Sequence, residues 1–285
     1  MEPLLEHRRR FAGYETRVLE MEGQGPPLVL VHGYADSADT WRLVLARLAR
    51  AERAAVAIDL PGFATAASLR PGLVLSQLDR FVAAVLAYAA DAGGAVLAGN
   101  SLGGTLTLRA AQRSDELGLA GAIPIAPAGL DMARWFTLIE RNAVLQLLLA
   151  LPAPLPETVV REAVGRVYNA LAFADPRRVD SQVVSAFTSH HRDRATVARY
   201  LRTARRLLPE LSSPFELERV GCPLLLVWGE RDRMVGASGA QRVLAALPDT
   251  QVELLAGCGH CPQVEEPDRV SELMLEFSTA LPEAA

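Results

Sequence analysis

Apolar residues fall along this chain in short unbroken runs separated by stretches with helical spacing. The runs are PLVLVHG (27–33), AAVAIDLPG (54–62), GAVLAGNS (94–101), GLAGAIPIAP (118–127), PLLLVWGERD (223–232) and QVELLAG (251–257). Runs without polar alternation are what strands buried on both faces look like. Most are followed by segments with the 3.6-residue period of helices, at 41–50, 75–91, 102–113, 241–247 and 268–281. Strands alternating with helices predict an α/β fold built on a mostly parallel sheet.

The alternation stops between residues 128 and 214. DMARWFTLIERNAVLQLLLAL, ETVVREAVGRVYNALAF and DRATVARYLRTARRLL have helical spacing with no strand between them. They predict a helical cap (128–214) inserted over the sheet's edge, with the core formed by 1–127 and 215–285. No repeat, low-complexity tract or flexible linker interrupts this plan.

Composition narrows the chemistry. A chain of 285 residues, half of them hydrophobic, can bury one substantial core with an appended cap. A formal charge of -4 gives no electrostatic reason to expect nucleic acid. Every one of the 29 basic residues is arginine. Without lysine there is no Walker-A phosphate site, no Schiff base and no Ser-Lys dyad. The N-terminal MEPLLEHRRRFAGYE reads as a charged tail without the apolar run of a signal peptide. The longest apolar stretch, 143–155, is shorter than the roughly 20 residues that span a bilayer, so no stable membrane insertion is expected. Three cysteines do not make a disulfide framework, and a cytoplasmic protein with free thiols is the expectation.

The strongest chemical signal is Gly99-Asn100-Ser101-Leu102-Gly103, where a strand meets a helix. A serine at so sharp a turn has a strained backbone and a hydroxyl raised above the strand ends. The flanking Gly99 and Gly103 let neighbouring chain approach. The next N–H, that of Leu102, opens a helix and points into the same space. A hydroxyl needs an adjacent base. His7 lies in the charged tail, and the pair His190-His191 falls in the insertion as solvated surface. His32 ends a buried strand before Gly33-Tyr34 and reads as a structural support for that loop. The Tyr34 N–H is then a candidate second oxyanion donor beside Leu102. His260, just after the last strand, is placed to reach Ser101. Asp232 ends the preceding strand and would orient the imidazole, giving the chain order Ser, Asp, His. Glu230 and Asp131 are weaker alternatives, and Asp59 reads as a turn residue before Pro61-Gly62.

Cys258-Gly-His260-Cys261 admits two further readings, a redox dithiol and a zinc site. A thioredoxin-type dithiol begins a helix, whereas the next helix here is expected only near Pro267. Zinc would need another ligand, and Cys222 begins a distant strand. Both readings are set aside, and no metal or cofactor is expected.

VHGY…W, DLPGF, GNSLGG, WGERD and GCGHCPQVEEP occur in the order and at the spacings of the α/β-hydrolase family, and nearly the whole chain resembles it. The resemblance implies an eight-stranded-type, mostly parallel sheet flanked by helices. It implies Ser101 as nucleophile, His260 as base, Asp232 as acid, Tyr34 and Leu102 as oxyanion-hole amides, and acyl transfer with no cofactor. One departure stands out: the family's D-x-P-G-x-G-x-S loop reads Ala64-Thr65-Ala66 after Phe63. The insertion's Trp135, Phe136, Tyr168, Phe173 and Phe187 suggest an apolar substrate pocket. A carboxylic ester of a small to medium apolar molecule is the first expectation. Asn100 before the serine resembles C–C hydrolases of ring-fission products, though the glycine-rich loop and the tryptophans usual in those enzymes are missing. A non-catalytic receptor on the same fold is the third reading. The partner is a small molecule, and self-association into a homo-oligomer is compatible with the chain.

Overall fold

A computed structural model describes residues 4–90, 94–132, 165–166, 169–179 and 194–281. Eight strands form one sheet: β1 (Leu5–Phe11), β2 (Tyr14–Met21), β3 (Gln24–Val31), β4 (Arg53–Ile58), β5 (Ala95–Asn100), β6 (Leu119–Ile125), β7 (Leu225–Gly229) and β8 (Gln251–Leu255). Their order across the sheet is β1-β2-β4-β3-β5-β6-β7-β8. From β4 to β8 all neighbours run parallel, while β1 pairs antiparallel with β2 and β2 with β4.

The described helices are α1 (Arg42–Arg50), α2 (Val74–Ala89), α3 (Leu102–Ala111), α4 (Arg194–Glu210), α5 (Gly239–Ala246), α6 (Pro262–Glu265) and α7 (Pro267–Ala280), besides a four-residue turn at 114–117. The unbroken apolar runs serve two cores because successive side chains leave opposite faces of a strand. Val29, Val31, Leu97 and Leu226 join α2 and α3 on one side. Leu28, Leu30, Val96 and Leu225 meet Leu45 and Leu48 of α1 and Met274 of α7 on the other. A charge placed at 27–31 of β3 or anywhere along β5 would therefore be buried.

The charged "tail" requires correction. Residues 5–21 form the β1–β2 hairpin, and His7 lies within β1, where its Nε2 meets Glu20 Oε2 at 2.7 Å. Arg17 of β2 reaches Asp39 at 2.7 Å and Asp59 at 3.2 Å. Asp59 does more than make a turn. Its fully buried carboxylate also accepts from the Ala38 N–H (2.9 Å) and the Thr65 hydroxyl (2.9 Å). Burial pushes this carboxyl up, but the Arg17 guanidinium, His32 and the Ala38 N–H together outweigh burial and hold it below the usual range.

Candidate active site

The carboxyl ends of β3, β5, β7 and β8 converge on one pocket. Ser101 follows β5 with φ 56° and ψ -113°, a left-handed-side conformation that costs a non-glycine residue about 1–3 kcal/mol. The turn closes only because its neighbours lack side chains. A Cβ on Gly99 would sit 2.3 Å from the Gly103 carbonyl oxygen, and one on Gly103 would sit 2.2 Å from that of Val31. The backbone is held in place by Ser101 N–H donating to Ile125 O (2.9 Å) and by Ser101 O accepting from Thr105 N–H (2.9 Å).

His260 arrives on the loop after β8. Its Nδ1 lies 2.7 Å from Asp232 Oδ2, with both side chains almost wholly buried. A carboxylate only accepts, so Nδ1 carries the proton and Nε2 is left with its lone pair. The other oxygen, Asp232 Oδ1, accepts from the N–H groups of Met234 (2.7 Å) and Val235 (2.9 Å), which fixes the carboxylate's direction. The weaker candidates lie elsewhere: Asp131 bonds the Ser238 hydroxyl, and Glu230 accepts from Gly257 N–H. The His260 carbonyl accepts from Asn100 Nδ2 at 2.9 Å, so the residue before the serine grips the histidine's backbone.

Ser101, His260, Gly33, Tyr34, Asn100 and Leu102 all line the pocket. The Leu102 N–H is the first amide of α3 and has no acceptor within its own helix. Tyr34 is held through its side chain: the hydroxyl donates to the Tyr200 carbonyl, and the ring packs edge-on against Phe63 at 5.3 Å. His32 accepts the Leu60 N–H on Nε2 (2.8 Å) and meets Gly33 O through Nδ1 (2.7 Å), bracing the loop that presents Tyr34. In the variant D-x-P-G loop Ala64 takes φ 43°, and its N–H donates to the Tyr200 hydroxyl at 3.2 Å.

The remaining pocket wall is apolar: Ala128, Met132, Ala204, Leu207, Leu208, Leu211, Met234 and Val235. Trp135, Phe136, Tyr168, Phe187 and the His190-His191 pair lie outside the described residues. Phe173 does not line the pocket; it is buried with Cys261 and Val264 in a cluster on which the wall residue Met234 packs. The leucines at the end of α4 and just past it were legible as an apolar stripe at 207, 208 and 211, and Met234-Val235 as the residues just past Asp232. What one sequence could not give was which elements the stripe faces.

Cys258 and Cys261 are free and buried, and they face different partners. Cys258 Sγ approaches Glu265 at 3.8 Å, and Cys261 Sγ approaches Asn100 at 3.9 Å. Burial, with Glu265 and Glu266 nearby, pushes the Cys258 thiol up, away from the reactive thiolate. One expectation fails: α6 begins at Pro262, directly after Cys261, not near Pro267. Burial, rather than distance from a helix, is what argues against a redox dithiol. Among the described residues no cluster of three His, Cys, Asp or Glu could hold a metal, and no helix is long and apolar enough to cross a membrane.

Residues 28–273 match the model of the alpha/beta hydrolase family. The chain belongs to the alpha/beta hydrolase family. Among its relatives in that family, the pimeloyl-[acyl-carrier protein] methyl ester esterase of Xanthomonas campestris pv. campestris is 28% identical, over 93% of this chain and 99% of that protein. The 2-hydroxy-6-oxo-6-(2'-aminophenyl)hexa-2,4-dienoic acid hydrolase of Metapseudomonas resinovorans is 27% identical, over 93% and 88%. A crystal structure of a serine hydrolase involved in carbazole degradation superposes with a TM-score of 0.76 at 23% identity, covering 97% of this chain and 99% of that one. The alpha/beta hydrolase fold accounts for the sheet order and for the convergence of loops at its carboxyl edge.

Proposed function

We propose that this alpha/beta hydrolase is a serine esterase for carboxylic esters with a small to medium apolar acyl or aryl group. The observation that carries the reading is that Ser101, an Asp232-oriented His260, Tyr34 and Leu102 line one apolar pocket. Ser101 Oγ attacks the ester carbonyl carbon while His260 Nε2 takes its proton. The two amides donate to the resulting oxyanion. Collapse of this intermediate expels the alcohol, which leaves with the proton from His260. Water, deprotonated by the same nitrogen, then attacks the acyl-enzyme and releases the acid. Residues 128–214 act as a cap, a reading supported by α4 and the residue just after it, which supply Ala204, Leu207, Leu208 and Leu211 to the pocket.

C–C bond hydrolysis of ring-fission products is the second reading, favoured by Asn100 and by the dienoic acid hydrolase among the relatives. Such substrates carry a carboxylate. Among the described residues no Arg, Asp or Glu side chain lines the pocket, which favours a neutral ester. A fluorophosphonate probe is expected to label the wild type and not Ser101→Ala. A wild type that stays unlabelled defeats the esterase and leaves the receptor reading standing. Turnover of aryl esters of graded chain length, beside a ring-fission dienone, then separates the two hydrolytic readings.

The double variant Cys258→Ser, Cys261→Ser is expected to keep most ester hydrolysis while losing about 1–3 kcal/mol of stability from two newly buried hydroxyls. Denaturant titration and rate assays on the same preparation check both. A variant that folds but is inactive would return the thiols to the chemistry.

A further inference from the structure

The histidine loop is anchored to two parts of the molecule. The His260 carbonyl is held by Asn100, at the end of β5. The His260 N–H instead donates to Ala172 O at 2.8 Å, within the inserted segment. Two residues on, the Ala174 N–H donates to Glu265 Oε2 at 2.8 Å, while Glu265 Oε1 accepts from Gly259 N–H, also at 2.8 Å. One carboxylate thus joins the residue before the histidine to the insertion. The contact is close enough to require glycine: a Cβ at 259 would lie 2.6 Å from Ala174 N and 2.8 Å from Ala172 O. Ala172, Phe173, Cys261 and Val264 seal the junction as a small buried cluster apart from the two main cores. Arg233, next to Asp232, donates to Ala170 O at 3.0 Å, so the same segment also touches the loop that orients the imidazole.

We propose that Glu265 is a positioning residue for His260, clamping the histidine loop to residues 172–174 so that the insertion sets the base as well as covering the pocket. The proposal rests on the assignment of His260 as the base. Glu265 does not line the pocket, so its effect must pass through the histidine. Two amides on one carboxylate oxygen pair are charge-assisted bonds. Removing the carboxylate strands both donors and frees the loop, and a displacement of about 1 Å at a reacting group can cost ~100-fold in rate.

The test uses the full chain, p-nitrophenyl butyrate, and kcat expressed per fluorophosphonate-titrated serine, which removes any unfolded fraction from the rate. Glu265→Ala is expected to lower kcat by ~10- to 100-fold with KM nearly unchanged. Glu265→Gln keeps one acceptor and should recover part of that loss. If Glu265→Ala does not fold, Glu265→Gln alone decides. Either variant folding with unaltered kcat, or losing activity only through KM, overturns the clamp. A wild type that fails to label overturns the serine reading instead, so the two failures are distinguishable.

Discussion

Ser101→Ala is expected to lower kcat/KM on aryl esters by about 10⁴- to 10⁶-fold, with the fold unchanged. His260→Ala should cost about as much, and the double variant little more, because a nucleophile without its base and a base without its nucleophile fail at the same step. Asp232→Asn should cost ~10⁴-fold by allowing the wrong imidazole tautomer. The same position yields a stability readout. Ser101 is held at φ 56°, a conformation that glycine adopts freely. Ser101→Gly should therefore be inactive yet more stable than Ser101→Ala by about 1 kcal/mol, read by denaturant titration. Appreciable turnover in Ser101→Ala would end the nucleophile assignment.

The largest expected loss of stability lies away from the pocket. Arg17→Ala should destabilise the chain by about 3–5 kcal/mol, because it leaves the fully buried Asp59 carboxylate without its cation. The pH dependence follows from the lowered carboxyl. Its contribution is fully present above the unfolded aspartate value of about 3.9 and is lost as pH falls through the lower folded value. Unfolding titrations at pH 7 and pH 3 should show the wild type losing stability on acidification and Arg17→Ala losing much less. Equal stability of the two proteins at pH 7 would show that the pair contributes nothing.

The parallel strands were legible because burial on both faces leaves no polar positions, as in β3 and β5. The hairpin was not. β1 is an edge strand exposed along most of its length, so LEHRRRF carries no apolar signature. In β2 the inward Tyr14, Thr16 and Val18 alternate with exposed or partly exposed residues, a period-2 pattern obscured by its charges. The role of Asp59 was missed for the same reason, since its partner Arg17 lies on that hairpin. At the site, Ser101, His260 and Asp232 were legible from strand-end placement and chain order. Glu265 was visible as a residue of the G-H-x-P-x-x-E-x-P block but carried no role, because the partners that matter to the clamp are backbone amides, one of them some ninety positions away.

The chain order of the three side chains bears on how the protein is made. β5 and Ser101 emerge from the ribosome early, whereas Asp232 and His260 follow the whole insertion. On the assignment above, a growing chain carries its nucleophile long before it owns a base, and the clamp to residues 172–174 must await synthesis of Glu265. Hydrolysis therefore begins only when β8 has docked at the sheet's far edge and brought the His260 loop with it.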